Sequence, residues 1–389
     1  MLTCLVGWAH SKFGKLAGES LETLIARAAS GALADAGVAP GEVDAIYIGT
    51  FNPGLVEQDF PSALVLNALP DLRFKPATRV ENACATGSAA LYEAAKAVAA
   101  GQARFALVIG VEKMSELDSA SVGRALLKAS YVSETRDIAG GFAGVFGQIA
   151  SSYFQKFGDQ SDALARIAAK NHKNAAANPL AHMRQDLGFD FCRTVSEKNP
   201  IVAGPLRRTD CALISDGAAA VVVTDARTAL GMKKAVALRA MRQTSDYLPL
   251  ARRGDITEFA GAALAWKGAT TDARVTNADL DFIELHDCFT ISELIQYEAL
   301  GLAQRGQGAR FILDGHAEKD GATPINPSGG LKARGHPVGA TGVSMHVNAA
   351  MQLTGTAGDM QIAGAALAGV FNMGGVAVAN YATILEPLR

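Results

Sequence analysis

The sequence is poor in cysteine, has no long uninterrupted apolar run and carries almost no net charge, and each deficit excludes a class of protein. Five cysteines, an odd number in 389 residues, are too few for the disulfide framework of a small secreted domain, and they fit reduced thiols in a cytosol. A net charge of -2 without basic or acidic runs argues against nucleic acid or a membrane surface as a partner. The most apolar stretch, residues 362–379, is interrupted by four glycines and Asn372, so it is not predicted to span a membrane.

The two ends of the sequence carry no recognisable targeting pattern. The first residues lack the basic stretch and long apolar run that mark a signal peptide. The last four residues, Glu386-Pro387-Leu388-Arg389, differ from the Ser-Lys-Leu peroxisomal address. We therefore expect a cytoplasmic protein.

Glycine is abundant, with 40 among 389 residues, which indicates many tight turns and close backbone approaches. In residues 1–114, short apolar runs alternate with helical patterns. This alternation predicts a largely parallel sheet covered by helices on both faces. One predicted helix is capped by Ser20, runs to about Ala36 and ends at Gly37.

Residues 115–205 have a different character, helical with polar breaks such as Asn178-Pro179 and Asn199-Pro200. We interpret them as an inserted loop domain, and such insertions often form one wall of a ligand cleft. Residues 206–230 return to the first half through a β-branched strand. Residues 231–389 then form a second α/β half.

The two halves resemble each other, which predicts a duplicated α/β unit. Residues 43–48 resemble residues 280–285, and Ala85-Thr86-Gly87 matches Ala340-Thr341-Gly342. In a duplicated fold the two matching helices lie near each other across a pseudo-twofold axis. We therefore expect the segments that precede them to meet, although they are far apart in sequence.

Cys84 lies directly before the first of these helices and is the first candidate for chemistry. The free N–H groups and the dipole at a helix N-terminus favour a thiolate, which predicts a thiol pKa below its usual value of about 8.5. The small neighbours Ala83, Ala85 and Gly87 leave room for a substrate carbonyl. A buried structural cysteine is the alternative that these residues alone leave open.

Three further segments fall at strand ends or helix starts, where open α/β sheets place their ligands. The first contains His286 and Cys288, the second contains His336, and the third contains Asn372 and Gly374. Each has a structural alternative, since a lone histidine after a strand is often a core residue and glycine pairs are often turns. No metal site is predicted, because the histidines of the insert lack thiol or carboxylate neighbours at ligand spacing.

Five segments together form a pattern that spans nearly the whole chain. They are Glu81-Asn82-Ala83-Cys84-Ala85-Thr86-Gly87-Ser88-Ala89-Ala90, Asp216-Gly217-Ala218-Ala219, His286-Asp287-Cys288-Phe289, Asn326-Pro327-Ser328-Gly329-Gly330 and Gly335-His336-Pro337-Val338-Gly339-Ala340-Thr341-Gly342. In type and order they resemble the thiolase superfamily, most closely its sterol-carrier-protein-2 type.

The resemblance implies a five-layered αβαβα fold of two similar halves, with a loop domain inserted in the first. It also implies ping-pong acyl transfer between CoA thioesters through an acyl-cysteine, without a cofactor or metal. Cys84 matches the nucleophile, and His336 matches the histidine that takes its proton and helps to bind the thioester oxygen. His286 matches the histidine of the first oxyanion site, and Cys288 matches the cysteine that moves a proton at the α-carbon.

One position departs from the ordinary biosynthetic and degradative thiolases. Those enzymes carry an acid/base cysteine near the C-terminus, where this chain has Asn372-Met373-Gly374. The sterol-carrier type supplies that thiol from the segment that contains Cys288 instead, and a second cysteine suits the base role if its pKa is set near neutrality. The backbone N–H of Gly374 is a candidate donor to the second oxyanion site, beside that of Cys84.

Other functions stay open. A β-ketoacyl synthase-like enzyme also uses a cysteine and two histidines, but it needs no second cysteine, so Cys288 argues against it. A retro-aldolase of the same superfamily is disfavoured because the relatives considered lack the nucleophilic thiol. The chain could also be a non-catalytic subunit that binds acyl-CoA or lipid, which the four reactive side chains disfavour.

The resemblance also bears on partners. Relatives are homodimers or homotetramers, and many associate with a small zinc-ribbon/OB-fold protein. The acyl chain length, the direction of the reaction and the CoA contacts are not assigned by the sequence. Arg184, Arg193 and Lys198 in the insert are candidates to meet CoA phosphates, and the alternative, favoured for any one of them, is a side chain that faces solvent.

Overall fold

A computed structural model describes residues 1–388, in which strands and helices alternate. The strands are β1 (Thr3–His10), β2 (Ala45–Gly49), β3 (Ala77–Val80), β4 (Ala106–Glu112), β5 (Ile201–Ala203), β6 (Leu206–Arg207), β7 (Gly217–Asp225), β8 (Val236–Ser245), β9 (Phe282–Glu284), β10 (Ala368–Gly374) and β11 (Ala379–Pro387). The helices are α1 (Leu21–Ala36), α2 (Pro61–Ala68), α3 (Thr86–Ala99), α4 (Ser119–Leu126), α5 (Val132–Thr135), α6 (Phe142–Phe157), α7 (Ser161–Ala176), α8 (Gly188–Arg193), α9 (Ala226–Ala229), α10 (Ala260–Ala273), α11 (Thr290–Ala299), α12 (Gly308–Leu313) and α13 (Val338–Leu353).

Helix α1 confirms the helix predicted from its two caps. The Ser20 side chain accepts a hydrogen bond from the backbone N–H of Thr23, and the Thr23 side chain accepts one from the backbone N–H of Ser20. At the other end Gly37 adopts the left-handed conformation with φ 68°. The buried face of the helix is apolar throughout, so capping and amphipathic pattern agree.

Nine strands form one sheet in the order β3-β2-β4-β7-β1-β8-β11-β10-β9, and β5 and β6 form a separate hairpin. The prediction of a largely parallel sheet is wrong. Only the pairs β2–β3, β2–β4 and β9–β10 are parallel, and the other pairs in the large sheet are antiparallel. The antiparallel strand β7 returns after the long insert, and no local pattern specifies the direction in which such a strand joins the sheet.

The predicted five layers are present. Helix α1 covers β1, β4 and β7 on one outer face, and α10 covers β8 and β11 on the other. Helices α3 and α13 form the middle layer, where α13 contacts strands of both halves, β4 and β7 from the first and β10 and β11 from the second. The two middle helices approach very closely, since a Cβ on Gly342 would lie 2.2 Å from the backbone nitrogen of Ser88.

The segment predicted as an insert holds α4 to α8 and lies between β4 and β7 in sequence. Helix α7 packs against α8, α11 and α12, so the insert rests on the second half. The exact division at residues 114, 205 and 230 stays a prediction. Within residues 1–388, every helix is either too short or too polar to cross a membrane.

Candidate active site

Cys84 lies in a tight turn of 3-10 helix, Ala83–Ala85, that leads directly into α3. Ala83 has φ +50°, a left-handed conformation that a residue with a Cβ adopts only at a cost of about 1–2 kcal/mol. The turn is closed by Thr86, whose Oγ1 accepts a hydrogen bond from the backbone N–H of Asn82 at 2.8 Å. This strained turn directs the thiol of Cys84 into a buried cavity.

The predicted meeting of distant segments is confirmed. The Cys84 sulfur and one ring nitrogen each of His286 and His336 all lie within 4.8 Å of one another. The two imidazole rings are 5.2 Å apart between centroids and nearly perpendicular, at 85°. His286 lies in the connection from β9 to α11, and His336 lies directly before α13, so two connections of the second half meet the turn of the first half.

Cys288 and Gly374 lie at the same place. Cys288 lines the cavity with Cys84 and His336, and its backbone oxygen accepts a hydrogen bond from the backbone N–H of Ala212 at 2.9 Å. Gly374 packs against the Cys84 turn so tightly that a Cβ there would lie 2.2 Å from the backbone oxygen of Asn82. The backbone N–H of Gly375, which the sequence interpretation missed, hydrogen-bonds the Cys84 sulfur.

The cavity has a volume of about 250 Å³, and its walls are mainly apolar. Besides the two cysteines and His336, side chains from the insert and from both halves line it. The larger of these are Met114, Val122, Leu126, Phe142, Val202, Leu213, Ile214, Phe289 and Val338. Such a surface suits an acyl chain and the methylene-rich part of a thioester.

The prediction of a low thiol pKa at Cys84 is wrong for this buried site. Burial raises the pKa of Cys84 to about 12, although hydrogen bonds from the backbone N–H groups of Gly375 and Cys84 itself oppose the rise. Burial likewise raises the pKa of Cys288 well above its usual value, not toward neutrality. The helix terminus does not outweigh the loss of water, so both sulfurs are protonated thiols at rest.

Both histidines are neutral at physiological pH. Burial lowers the pKa of His336 to about 3, and it lowers the pKa of His286 well below its ordinary value. The neighbouring Arg334 guanidinium adds to the effect on both rings. A neutral imidazole has one nitrogen that donates and one that accepts, so the tautomer decides what each ring can do.

The hydrogen bonds of Asn372 assign the tautomer of His286. The Asn372 amide nitrogen lies 3.3 Å from the backbone oxygen of Cys84, and Ser88 Oγ donates to the amide oxygen at 2.7 Å. The same amide nitrogen lies 2.8 Å from Nδ1 of His286. Since an amide nitrogen can only donate, Nδ1 must accept, and the ring proton lies on Nε2. That Nε2–H is buried without a partner, so it is free to donate to a substrate oxygen.

The opposite assignment follows for His336. Its Nδ1 lies 2.7 Å from Oγ1 of Thr341, and that hydroxyl donates to the backbone oxygen of Pro337 at 3.0 Å. The hydroxyl has one proton, so it accepts from Nδ1–H, and Nε2 carries a lone pair. This Nε2 is also buried without a partner. One site thus contains one imidazole able to donate and one able to accept.

The sequence interpretation missed the residues that orient the predicted ones. Thr341 stood inside a matching segment and Asn372 inside a candidate segment, but nothing in their spacing indicates contact with a histidine. The same Cys84, His286 and His336 are, among residues 1–388, the one group of His, Cys, Asp or Glu compact enough to hold a metal ion. Thiol and imidazole are ligands that Zn²⁺ prefers, although a structural zinc site takes four.

Comparisons with known proteins agree with this geometry. Residues 4–191 match the family profile described as thiolase, N-terminal domain, and residues 243–387 match the profile described as thiolase C-terminal domain-like. The chain is 37% identical over 375 residues to an acetyl-CoA acetyltransferase of Methanothermobacter thermautotrophicus, a match that covers 95% of this chain and 96% of that protein.

Two further relatives extend the comparison. The chain is 32% identical over 394 residues to human sterol carrier protein 2, covering 95% of this chain and 69% of that protein. Among solved structures, the Ltp2-ChsH2(DUF35) aldolase superposes with a TM-score of 0.84 over 100% of this chain and 98% of that chain. At 24% identity this last match shows a shared fold.

Proposed function

Because the chain belongs to the thiolase superfamily and is an acyltransferase that acts on CoA thioesters, we propose that it transfers the acyl group through an acyl-cysteine on Cys84. The observation that carries this proposal is the approach of the Cys84 sulfur and the two imidazoles to within 4.8 Å. A buried thiol with a high pKa needs a base beside it before it can attack. The free Nε2 of His336 is the base at hand.

The first half-reaction acylates Cys84. His336 Nε2 takes the thiol proton as the sulfur attacks the thioester carbon of an acyl-CoA. The tetrahedral oxyanion accepts hydrogen bonds from the backbone N–H groups of Cys84 and of Gly374 and Gly375. The Gly374–Gly375 segment packs directly against the turn that holds Cys84. When the carbon–sulfur bond to CoA breaks, Cys288 gives its proton to the departing sulfur. The products are acyl-Cys84, free CoA, a Cys288 thiolate and a His336 imidazolium.

The second half-reaction forms the carbon–carbon bond. The Cys288 thiolate is a strong base because burial disfavours its charge, and it removes a proton from the α-carbon of a second acyl-CoA. His286 Nε2–H donates to the enolate oxygen that forms. The carbanion attacks acyl-Cys84, and the Cys84 sulfur leaves and regains its proton from His336. The reverse sequence cleaves a 3-ketoacyl-CoA with CoA, and both thiols and both imidazoles return to their starting state.

We further propose acetyl-CoA as one substrate, that is, an acetyl-CoA C-acyltransferase of lipid metabolism. Two relatives, at 37% and 34% identity, are acetyl-CoA acetyltransferases, and the apolar cavity leaves room for a longer partner acyl chain. The five free cysteines fit the proposed cytoplasmic location.

The proposed partners are a second copy of the chain, as a homodimer or homotetramer, and a small zinc-ribbon/OB-fold protein. Support for a second component comes from an aldolase structure of the same fold, whose name includes ChsH2(DUF35) beside Ltp2. Size-exclusion chromatography with light scattering measures the homo-oligomer. Co-expression with a candidate small zinc-ribbon/OB-fold protein, followed by co-purification, tests the second partner.

Acyl labelling tests the central proposal. Wild-type protein incubated with acetyl-CoA that is labelled in the acetyl group should retain the label on a Cys84 peptide, and Cys84→Ala should retain none and show no transfer. Label on the alanine variant would refute the nucleophile. The reaction is repeated with a chelator, because a loss of labelling on metal removal would show that acyl transfer depends on a metal ion.

Cys288→Ala separates the two half-reactions. We expect this variant to accept label on Cys84, at least in a single slow turnover, but to lose condensation. Unchanged condensation would refute the acid/base role. Malonyl-CoA in place of acetyl-CoA distinguishes the β-ketoacyl synthase-like alternative, which draws its carbanion from decarboxylation and needs no second cysteine.

A further inference from the structure

A second cavity, separate from the acyl cavity, lies between the insert and the turn that precedes His336. It has a volume of about 270 Å³, and Leu213 is the one residue that lines both cavities. Its polar walls are positively charged or neutral, because Lys198, Arg208, Lys332 and His172 line it and no carboxylate does.

Lys332 is the most unusual of these groups. It is 2% exposed, and its amine forms neither an ion pair nor a hydrogen bond within residues 1–388. The carboxylate of Asp287 is occupied by the backbone N–H groups of Leu331 and Lys332, while that of Asp210 binds Arg207. Burial lowers the pKa of the Lys332 amine, even though the charges of the nearby Asp210 and Asp287 carboxylates oppose that change. A charged amine at this depth, without a direct ion-pair partner, is therefore stabilised by a further anion.

His172 faces the same cavity with at least one ring nitrogen unused. The residue is 1% exposed, and the backbone of Gln185 is the one hydrogen-bonding group near its ring in the described part of the chain. Nearly all buried polar groups in proteins have a partner, so a buried imidazole nitrogen without one indicates a ligand or ordered water. A neutral imidazole can donate one hydrogen bond to an anion at this position.

Arg208 and Lys198 lie at the exposed rim and have no ion-pair partner within residues 1–388. Together with Lys332 they present three cationic groups, which match a doubly charged oxyanion better than a single carboxylate. The guanidinium suits two phosphate oxygens at once, and the two amines suit others as point charges. The charge of the cavity and its unpartnered donors therefore point to the same ligand chemistry.

We propose that this cavity binds a phosphate group, held by Lys332 and His172 at its base and by Arg208 and Lys198 at its rim. The site goes beyond the acyl-transfer chemistry and does not depend on the role of Cys84. Two sources could supply such a group. One is a phosphate of CoA itself, since Leu213 lines both cavities, and the other is a separate phosphorylated metabolite.

Titration calorimetry with inorganic phosphate at constant ionic strength tests the proposal. We expect wild-type protein to bind phosphate at one site per chain. Lys332→Met should raise the dissociation constant for phosphate at least tenfold. Lys319→Met is the matched control, because the Lys319 amine is exposed and donates to the backbone oxygen of Asp359. Arg208→Gln, at the exposed rim, should weaken binding in the same direction even if Lys332→Met fails to fold.

The outcomes are distinct. Absence of phosphate binding in the wild type, or equal affinity in wild type, Lys332→Met and Arg208→Gln, would overturn the site. If CoA displaces phosphate and 3′-dephospho-CoA does not, the natural ligand is the 3′-phosphate of CoA. If neither displaces it, the site takes a separate phosphorylated compound. Cys84→Ala is titrated with phosphate as well. If it loses acyl labelling but still binds phosphate, the phosphate site is separate from the proposed role of Cys84.

Discussion

Two helices meet in the middle layer, and each begins near an Ala-Thr-Gly triplet that the duplication repeats. In the first half, Thr86 Oγ1 accepts a hydrogen bond from the backbone N–H of Asn82 at 2.8 Å and closes the turn that holds Cys84. In the second half, Thr341 Oγ1 lies 2.7 Å from Nδ1 of His336 and orients that ring. The repeated threonine therefore supports a backbone turn in one half and a catalytic side chain in the other.

This difference shows how a duplicated fold acquires an asymmetric site. The glycines that follow the two threonines keep one shared task, which is to let the helices touch. The residues before the helices have no such constraint, so one half presents a thiol and the other presents an imidazole. Asn372, from β10 of the second half, then joins both by contacting the Cys84 turn and His286.

Thr341→Val is the strongest test of the comparison, because valine keeps the shape of threonine but cannot accept a hydrogen bond. Without an acceptor at Nδ1, His336 is free to place its proton on Nε2, where it cannot take the proton of Cys84. We expect the rate of Cys84 acylation to fall by about 10- to 100-fold, because the lost hydrogen bond is worth about 1–3 kcal/mol and part of the population keeps the useful tautomer. Rapid-quench measurement with labelled acetyl-CoA gives this rate.

Thr86→Val is the matched control in the other half. It removes the acceptor of the Asn82 N–H and should lower the free energy of unfolding by about 1–2 kcal/mol, with acylation reduced far less. Equal losses of acylation in the two variants would mean that Thr341 only supports the fold. A normal acylation rate in Thr341→Val would show that the hydrogen bond to Thr341 does not set the tautomer of His336.

Gly342→Ala tests the task that the two halves share. A Cβ at this position would lie 2.2 Å from the backbone nitrogen of Ser88 and 2.6 Å from the amide oxygen of Asn372, so the helices must separate. We expect the free energy of unfolding to fall by about 3 kcal/mol, as for a severely overpacked core. Gly41→Ala is the control, because nothing lies within 4 Å of a Cβ there. Urea unfolding that shows equal stability in both variants would contradict the close approach.

The fold was predictable where the pattern was local. The helix between Ser20 and Gly37 follows from its caps, the start of α3 follows from apolar spacing, and the repeated triplet predicted that α3 and α13 meet. The direction of β7 was not predictable, because it pairs with β1 and β4 only after the whole insert has been placed. Long-range pairing has no signature within the strand itself.

The candidate site divides in the same way. The positions of Cys84, His286, Cys288 and His336 were predictable because each carries a reactive group in a recognisable segment. The thiol pKa was not, since it depends on how deeply the folded chain buries the sulfur. The partners of the two Nδ1 atoms were also not predictable, because each hydrogen bond depends on a side-chain orientation that only packing determines.

Asn372→Leu sharpens the comparison at the second imidazole. Leucine has a similar size but donates nothing to Nδ1, so His286 loses its preference for the Nε2–H tautomer. We expect condensation to fall by about 10- to 100-fold, less than the cost of deleting a donor outright, because part of the population keeps the useful tautomer. Nitrogen-15 NMR of histidine-labelled protein reports the protonated nitrogen directly.

Ser88→Ala is the companion variant. It removes the hydroxyl that donates to the Asn372 amide oxygen, so it should weaken the orientation of the amide and shift the His286 tautomer in the same direction by a smaller amount. A His286 ring that stays in the Nε2–H form in both variants, with normal condensation, would show that Asn372 only fills space.

The smallest expected effect is a difference in how the two halves respond to acid. In the second half, burial lowers the pKa of His346 to about 4, while in the first half burial raises the pKa of Glu112 to about 7. Below about pH 6.5, His346 is protonated in the unfolded chain but stays neutral in the folded state. Stability from this histidine is present above pH 6.5 and is lost as the pH falls, by about 1.4 kcal/mol per pH unit.

Glu112 acts with the opposite sign. Its folded form holds a proton between about pH 4.5 and 7, so its contribution is present at low pH and is lost as the pH rises through about 7. Urea unfolding at a series of pH values gives the slope of the free energy of unfolding between pH 6.5 and 5. His346→Gln should make this slope shallower and Glu112→Gln should make it steeper, each by about 1.4 kcal/mol per pH unit, the value for one proton. Parallel pH profiles for the two variants would contradict the assignment. Glu112 also accepts a hydrogen bond from the backbone N–H of Gly339 at 2.9 Å, so its ionisation above about pH 7 places a negative charge at the start of the helix that follows His336.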